Sequence, residues 1–73
     1  MDKFAVLGVG KYGSTIAKKL AEKGAQVFAF DCREEKIEAI KDDVAFAVTL
    51  DTTDKKALMS QNIAEVDAAV VAI

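Results

Sequence analysis

Short apolar segments alternate along the chain with longer segments that mix apolar and charged residues. Four of the apolar segments have the length of a strand and lack the regular polar alternation of a half-exposed strand. Continuous apolar runs are typical of strands buried on both faces of a parallel sheet. We therefore predict strands at residues 4–7, 26–30, 45–50 and 67–73.

The segments between these strands have helical periodicity. The first, from about residue 11 to 23, repeats apolar side chains at helical spacing, and Gly24 follows it as a stop signal. Glu34 and Glu35 open the second helix, residues 34–41, at the positive end of its dipole. The third, residues 54–61, follows a loop in which Thr53 is the predicted cap. The side chains expected to face inward are Tyr12, Ile16, Ala17, Leu20, Ala21, Ile37, Ile40, Leu58 and Met59.

The predicted order of elements is β-α-β-α-β-α-β. Alternating units of this kind join parallel strands by right-handed crossovers, which gives an α/β sheet with helices on both faces. We expect the strand order 3-2-1-4, with the first two helices on one face and the third on the other. The crossovers then diverge between strands 1 and 4, and ligands of such sheets bind at this kind of switch point.

The composition of the chain argues against several classes of function. The 73 residues are enough for one domain at most, or for part of one, and a net charge of −2 does not give the positive field expected of a nucleic-acid binder. Cys32 is the single cysteine and there is no histidine, which disfavours disulfides, transition-metal sites and Ser-His or Cys-His catalysis. Because the chain has no secretory signal and no apolar stretch near 20 residues, we expect a cytoplasmic location.

One cluster carries recognisable chemistry. The pattern G-x-G-x-x-G occurs at Gly8, Gly10 and Gly13, after a predicted strand and at the start of a predicted helix, and Asp31 ends the next strand. This layout is typical of dinucleotide binding. The first glycine permits a tight turn, the second lets a pyrophosphate approach the backbone, and the third lets the helix pack closely on the sheet. Asp31 is expected to bind ribose hydroxyls and to favour NAD over NADP. The alternative is ordinary turn glycines that bind nothing.

Several residues beside the glycine loop and Asp31 either contact a bound ligand or have an ordinary structural role. Val9, Lys11 and Tyr12 fill the variable positions of the glycine loop, and Lys11 either reaches a terminal phosphate or is a solvated lysine. Arg33 either covers an adenine or pairs with a phosphate, or it is a solvated guanidinium beside the two glutamates that follow it. Cys32 is interpreted as a small space-filling residue rather than a reactive thiol.

The loop after the third strand joins the same sheet edge. Asp51 and Thr52 follow that strand, so they either contact an adenine or form a loop that caps the third helix. We include both in the candidate site.

Taken together, these residues resemble the RCK (KTN, or TrkA-N) domain, which regulates potassium channels and Trk/Ktr-type potassium transporters. The stretches that carry the resemblance are KFAVLGVGKYG at residues 3–13, Phe30-Asp31, Leu50-Asp51-Thr52-Thr53 and VDAAVVAI at residues 66–73. The resemblance covers nearly the whole chain. It implies a Rossmann-like fold, here truncated because domains of the family continue past strand 4 with about two more strands.

The resemblance also implies a function and assigns roles to residues. It implies a cytosolic sensor that binds NAD, NADH, ATP or ADP and acts on a membrane-embedded potassium transporter or channel subunit. The glycines match the phosphate loop, Lys11 the basic residue near the phosphates, Asp31 the ribose ligand, and Asp51 with Thr52 the adenine-side turn. The turn departs from the family pattern, in which a glycine often precedes the aspartate and a small residue follows it.

Two further expectations concern activity and assembly. We expect a regulatory binding module and no enzyme; the alternatives are the cofactor-binding half of an NAD-dependent dehydrogenase and a structural fragment with a weak site. If strand 4 is an open edge of the sheet, its apolar residues favour pairing with another chain. We therefore expect a homodimer or higher oligomer.

Overall fold

A computed structural model of the chain describes residues 2–60 and 65–72. Four strands alternate with three helices in the described residues. Their bounds are β1 Lys3–Leu7, α1 Lys11–Glu22, β2 Gln26–Asp31, α2 Glu34–Ile40, β3 Phe46–Thr49, α3 Lys55–Ser60 and β4 Ala68–Val71. The predicted order of elements is confirmed, and most boundaries lie within one or two residues of the prediction. The predicted ends at residues 61 and 73 lie outside the described residues.

The strands form one parallel sheet in the order β3-β2-β1-β4, as predicted. In the middle of the sheet Val6 lies between Ala29 of β2 and Val70 of β4. Because β1 and β2 are the central strands, their carboxyl ends meet at the middle of one edge of the sheet.

The main core lies between one face of this sheet and the helices α1 and α2. Val6, Ala17 and Ala29 are fully buried there, and Ile37 and Ile40 join the same cluster from α2. The two helices therefore share one face, as predicted. A chain of 73 residues buries only a modest share of its surface, so this layer is an important contribution to its stability.

The predicted apolar face of α1 is wrong at two positions. Tyr12 is 79% exposed and Ile16 is 36% exposed, whereas Gly13 and Ala17 are buried. Residues four apart lie on the same side of a helix, so the packed face runs through these two small residues. Their size lets the helix approach the sheet closely, and the side chain of Tyr12 stays exposed.

The opposite face of the sheet is buried at its centre and open at its margins. Ala5 and Phe30 are buried, but Phe46 on β3 is 51% exposed and Val71 on β4 is 68% exposed. The ring of Phe46 stacks on Phe28 of the neighbouring strand, with 5.1 Å between the ring centres. Both edge strands of the described sheet thus carry exposed apolar side chains.

The third helix differs from its prediction in two respects. Its cap is Asp54 and not Thr53, because the Asp54 carboxylate accepts hydrogen bonds from the backbone N–H groups of Lys56 and Ala57 at 3.0 and 3.2 Å. Met59 was expected to face inward but is 52% exposed. The predicted inward orientation of Leu58 lies outside what the structure describes, and the placement of α3 on the opposite face stays a prediction.

Among the described residues, every helix is too short or too polar to cross a lipid bilayer.

Candidate functional site

The glycine loop turns the chain from β1 into α1 at the middle of the sheet edge. Gly8 has φ +97°, a conformation that side chains rarely tolerate, and its N–H continues the sheet by donating to the carbonyl oxygen of Phe30 at 2.8 Å. The predicted tight turn at Gly8 is therefore confirmed. It places the start of α1 directly beside the end of β2.

Gly13 keeps α1 close to this turn. A Cβ atom at Gly13 would overlap the backbone carbonyl oxygen of Gly8 and would lie 3.3 Å from the Cβ of Ala72. No side chain fits in that space, so the predicted role of Gly13 in close packing is confirmed. Gly10 differs, because a Cβ there would meet only the Arg33 guanidinium at an ordinary contact distance of 3.6 Å.

The N-terminus of α1 is open to an anion. Gly10 is its N-cap residue, no side chain caps the helix, and its first turn contains no acidic residue. The N–H groups of a first turn have no partner within the helix, and together with the helix dipole they favour a negatively charged ligand. In contrast, α2 carries Glu34 and Glu35 in its first turn and α3 is capped by Asp54.

Asp31 holds the loop and the end of β2 together. Its carboxylate is only 3% exposed and accepts four hydrogen bonds. One oxygen accepts from the Val9 backbone N–H at 2.9 Å and from the Arg33 Nη2 at 3.0 Å. The other accepts from the Arg33 backbone N–H at 2.8 Å and from the Arg33 Nε at 3.0 Å. A carboxylate offers about four acceptor sites, and all are used here.

These contacts determine the charge of the site. The Arg33 guanidinium, assisted by the backbone N–H groups of Val9 and Arg33, holds the pKa of Asp31 well below its usual value of 3.8, although burial opposes the shift. Asp31 is therefore ionised at neutral pH. The hydrogen bonds to Asp31 and the negative charge of its carboxylate in turn raise the pKa of Arg33.

A cavity of about 360 Å³ opens beside this ion pair at the carboxyl ends of the central strands. Its lining residues are Gly8, Asp31, Cys32, Arg33, Thr52 and Ala72. The structure thus brings the glycine turn, the end of β2 and the loop after β3 to one opening.

Several residues of the predicted site do not line the cavity. Lys11 and Tyr12 are exposed on the first turn of α1 and do not line the cavity. Val9 packs its side chain in the core and uses its N–H for Asp31. The candidate phosphate-binding surface of the loop therefore begins at Gly10 and continues into the N–H groups of α1.

Asp51 and Thr52 separate in the structure. Thr52 lines the cavity, whereas the Asp51 carboxylate turns back to accept hydrogen bonds from the backbone N–H and hydroxyl of Thr53 at 2.9 and 2.6 Å. These bonds lower the pKa of Asp51. Asp51 thus shapes the loop, and Thr52 is the residue of this loop that faces the cavity.

Two features of the site were missed in the sequence. Ala72 lines the cavity and packs near Gly13, and a small residue at the end of an apolar strand gives no local signal of such a role. Arg33 was expected at a ligand or in solvent, but it pairs with Asp31. The signal was present, since the two opposite charges are two residues apart at the end of a strand.

Comparison with known proteins agrees with this geometry. The TrkA-N domain model matches residues 4–73. The chain is 37% identical over 71 residues to the Ktr system potassium uptake proteins C and A of Bacillus subtilis (strain 168), and 28% identical to protein A of Vibrio alginolyticus. Each alignment covers 97% of this chain and 32% of the relative, so the chain spans about a third of the length of these relatives. With its Rossmann-like sheet and glycine loop, the chain belongs to the TrkA-N domain family.

Proposed function

We propose that this chain is a regulatory nucleotide-binding module that controls potassium uptake or a potassium channel. The observation that carries the proposal is one cavity lined by Gly8 of the glycine loop and by Asp31. The uncapped N-terminus of α1, at Gly10, lies beside the Arg33 side chain that forms part of the cavity wall. The names of the relatives, which are potassium uptake proteins, favour this function over the cofactor-binding half of a dehydrogenase.

The proposed ligand is an adenine nucleotide, NAD or NADH, with ATP or ADP as the alternative. The residues fit such a group. Its phosphates would lie over Gly10 and accept hydrogen bonds from the first turn of α1, where no Cβ or carboxylate interferes. Its ribose would approach Asp31, and its base would lie in the cavity beside Cys32 and Thr52.

The proposed output is a change in conformation passed to a membrane-embedded potassium transporter or channel subunit. A ligand shifts such an equilibrium only as far as it binds one conformation better than the other. Here the ligand would join α1 to the ends of β2 and β3, so binding would change how firmly these elements are held together. No enzymatic step forms part of this proposal, and the module would act in the cytoplasm beside its membrane partner.

We further propose that the chain associates with itself through β4. This strand pairs with β1 on one side and is an edge of the described sheet on the other. Ala69 and Val71 are exposed on it, and Val71 is paired with Leu7 in register, on the face that also carries Phe46. An exposed apolar edge is a template for a further strand.

The ligand is tested by thermal unfolding with NAD, NADH, NADP, ATP, ADP and AMP. A ligand at 100 times its Kd adds about 2.7 kcal/mol to the free energy of unfolding, which in a domain of this size raises Tm by about 10 °C or more. We expect NAD or ATP to stabilise the chain and NADP to do so less. Failure of all six to raise Tm would contradict the proposal, and a larger shift with NADP would contradict the role of Asp31.

The role of Lys11 is tested by comparing ligands with different numbers of phosphates. Lys11→Gln removes a charge from the first turn of α1, so we expect a loss in ATP affinity of about fivefold and little loss in AMP affinity. Lys19→Gln makes the same change in charge at the other end of α1 and is the control. Equal losses for AMP and ATP in Lys11→Gln would contradict a contact with the terminal phosphates.

A further inference from the structure

The ribose-binding group of the proposed site already has a partner inside the chain. All four acceptor positions of the Asp31 carboxylate are engaged, and two of them are held by the guanidinium of Arg33 through Nε and Nη2, each at 3.0 Å. A ribose diol that donates to this carboxylate must therefore replace donors that are present. The other two donors are backbone N–H groups of Val9 and Arg33, which the fold holds in place.

The guanidinium also lies where phosphates would approach. The nearest atom to a Cβ built on Gly10 is the Nη2 of Arg33, at 3.6 Å. The side chain therefore extends from the start of α2 across the gap to the glycine loop. It covers the space between the ribose-binding carboxylate and the N-terminus of α1.

The Arg33 side chain is able to leave without disturbing the backbone. Its side chain is 49% exposed, and its backbone N–H bonds Asp31 independently of the guanidinium. Release of the guanidinium would free two acceptor positions on a carboxylate that keeps its two backbone donors. A cis-diol supplies two O–H donors, so the number of hydrogen bonds at Asp31 is the same before and after the exchange.

We propose that Arg33 is a latch that determines specificity: it competes with the ribose diol for Asp31, so that a ribosyl ligand binds only by displacing the guanidinium. This inference rests on the proposed function and adds a regulation of the same site. The latch lowers the affinity for every ligand that uses its diol at Asp31. It leaves the affinity for a nucleoside without a diol unchanged.

The test compares adenosine with 2′,3′-dideoxyadenosine, which has the same base and no diol. Affinities are measured by calorimetry or NMR titration for the wild-type chain, Arg33→Ala and Arg33→Lys. Lysine keeps the charge but lacks the two-pronged donor geometry of arginine. Lys36→Ala removes the same charge three residues later, in the first turn of α2, and is the matched control. Lys36 is in none of the ion pairs that the structure describes.

We expect Arg33→Ala to bind adenosine about fivefold more tightly than the wild-type chain, the range set by a half-exposed ion pair. Arg33→Lys should show a smaller gain in the same direction. Neither variant should change the affinity for dideoxyadenosine, and Lys36→Ala should change neither affinity. Circular dichroism checks that each variant is folded. If Arg33→Ala is unfolded, the affinities of Arg33→Lys and the NMR spectra of the wild-type chain test the latch instead.

A second measurement follows the latch directly. Arg33 is the sole arginine in the sequence, so its Nε–H gives an unambiguous NMR signal. Adenosine should shift this signal and speed its exchange with water in the wild-type chain, because the guanidinium leaves Asp31. Dideoxyadenosine should leave the signal in place. A merely structural role for Arg33 predicts no difference between the two ligands.

The outcomes separate the latch from the function on which it rests. Equal affinities for adenosine in the wild-type chain and Arg33→Ala would overturn the latch while nucleotide binding stands. Equal gains for both ligands would also overturn it, since the diol would not be what Arg33 excludes. If no adenine ligand binds the wild-type chain or any variant, the proposed function and the latch both fall. Binding of adenosine to Arg33→Ala alone would support the latch.

Discussion

The carboxylates of Asp31 and Asp51 lie at the same edge of the sheet but differ in burial and in hydrogen bonding. Asp31 ends the central strand β2, is 3% exposed and accepts four hydrogen bonds, one from Val9 in the glycine loop and three from Arg33. Asp51 follows the edge strand β3 and is exposed, and the hydrogen bonds that the structure describes for its carboxylate both come from Thr53, two residues away. In the sequence both are aspartates at or just after the end of a strand. In the structure Asp31 links the end of β2 to the glycine loop, whereas Asp51 stabilises a local turn.

The same contrast holds for the regions around them. The central region, comprising β1, α1 and β2, is closely packed, with Gly13 against the backbone of Gly8. The peripheral region, comprising β3, the loop at residues 50–54, α3 and β4, carries exposed apolar side chains at Phe46 and Val71. The centre therefore holds the candidate site, and the periphery leaves apolar surface exposed.

The largest expected effect is in the central region, at Gly13. Gly13→Ala places a methyl group on the carbonyl oxygen of Gly8, which only a shift of α1 could relieve. Overpacking of this severity costs more than about 3 kcal/mol, a large part of the stability of a domain this small. We expect Gly13→Ala to be largely unfolded at 37 °C, as measured by circular dichroism and chemical denaturation.

Gly10→Ala is the matched control for that substitution. It adds the same methyl group three residues earlier, where the nearest atom lies at 3.6 Å and φ is −72°. We expect a loss in stability of no more than about 1 kcal/mol, because alanine is a poorer N-cap than glycine. Its nucleotide affinity should fall, since the methyl group lies where phosphates approach. A stable Gly13→Ala variant would show that the central region is less tightly packed than its geometry indicates.

The next effect separates the two carboxylates. In Asp31→Asn an NH₂ group replaces an oxygen that accepts two hydrogen bonds, so donors would face donors at that atom. We expect the free energy of unfolding at pH 7 to fall by about 2 kcal/mol. In Asp51→Asn the remaining amide oxygen still accepts from Thr53, so we expect little change. Urea denaturation of both variants measures the difference.

The pH dependence of stability sharpens this prediction. The pKa of Asp31 is lower in the folded chain than its usual value of 3.8, so its contribution is complete above that value and is lost as the pH falls towards the folded pKa. The stability difference between the wild-type chain and Asp31→Asn should therefore be largest near neutral pH and shrink below about pH 4. A difference that stays constant from pH 7 to pH 3 would contradict an ionised, hydrogen-bonded Asp31.

The sequence was sufficient to predict the order of elements and the order of strands in the sheet. Strand length, helical spacing and the glycine pattern are local signals, and the crossover rule turns them into one topology. The roles of Gly8 and Gly13 followed for the same reason. The turn at Gly8 and the close approach at Gly13 are requirements of the motif itself.

The errors occur where the outcome depends on contacts between distant segments or on competition among neighbours. Tyr12 matches the helical spacing, but the packed face of α1 is centred on the smaller Gly13 and Ala17. Thr53 and Asp54 are both good caps, and Thr53 is taken up by Asp51. The bond between the N–H of Val9 and Asp31 joins residues 22 positions apart, which no local pattern indicates.

A substitution on the edge strand β4 is expected to have the smallest effect on the stability of a single chain. It should nevertheless change the self-association of the chain measurably. Val71 is 68% exposed, so Val71→Lys should change the unfolding free energy of the monomer by less than about 0.5 kcal/mol while placing a charge on the proposed interface. We expect the wild-type chain to associate at high micromolar concentration in sedimentation velocity and Val71→Lys to be monomeric. Ala39→Lys adds the same charge on the exposed side of α2 and should associate like the wild type. A wild-type chain that stays monomeric at that concentration would contradict the proposed use of β4, and dissociation of both variants would show that net charge, rather than this strand, controls assembly.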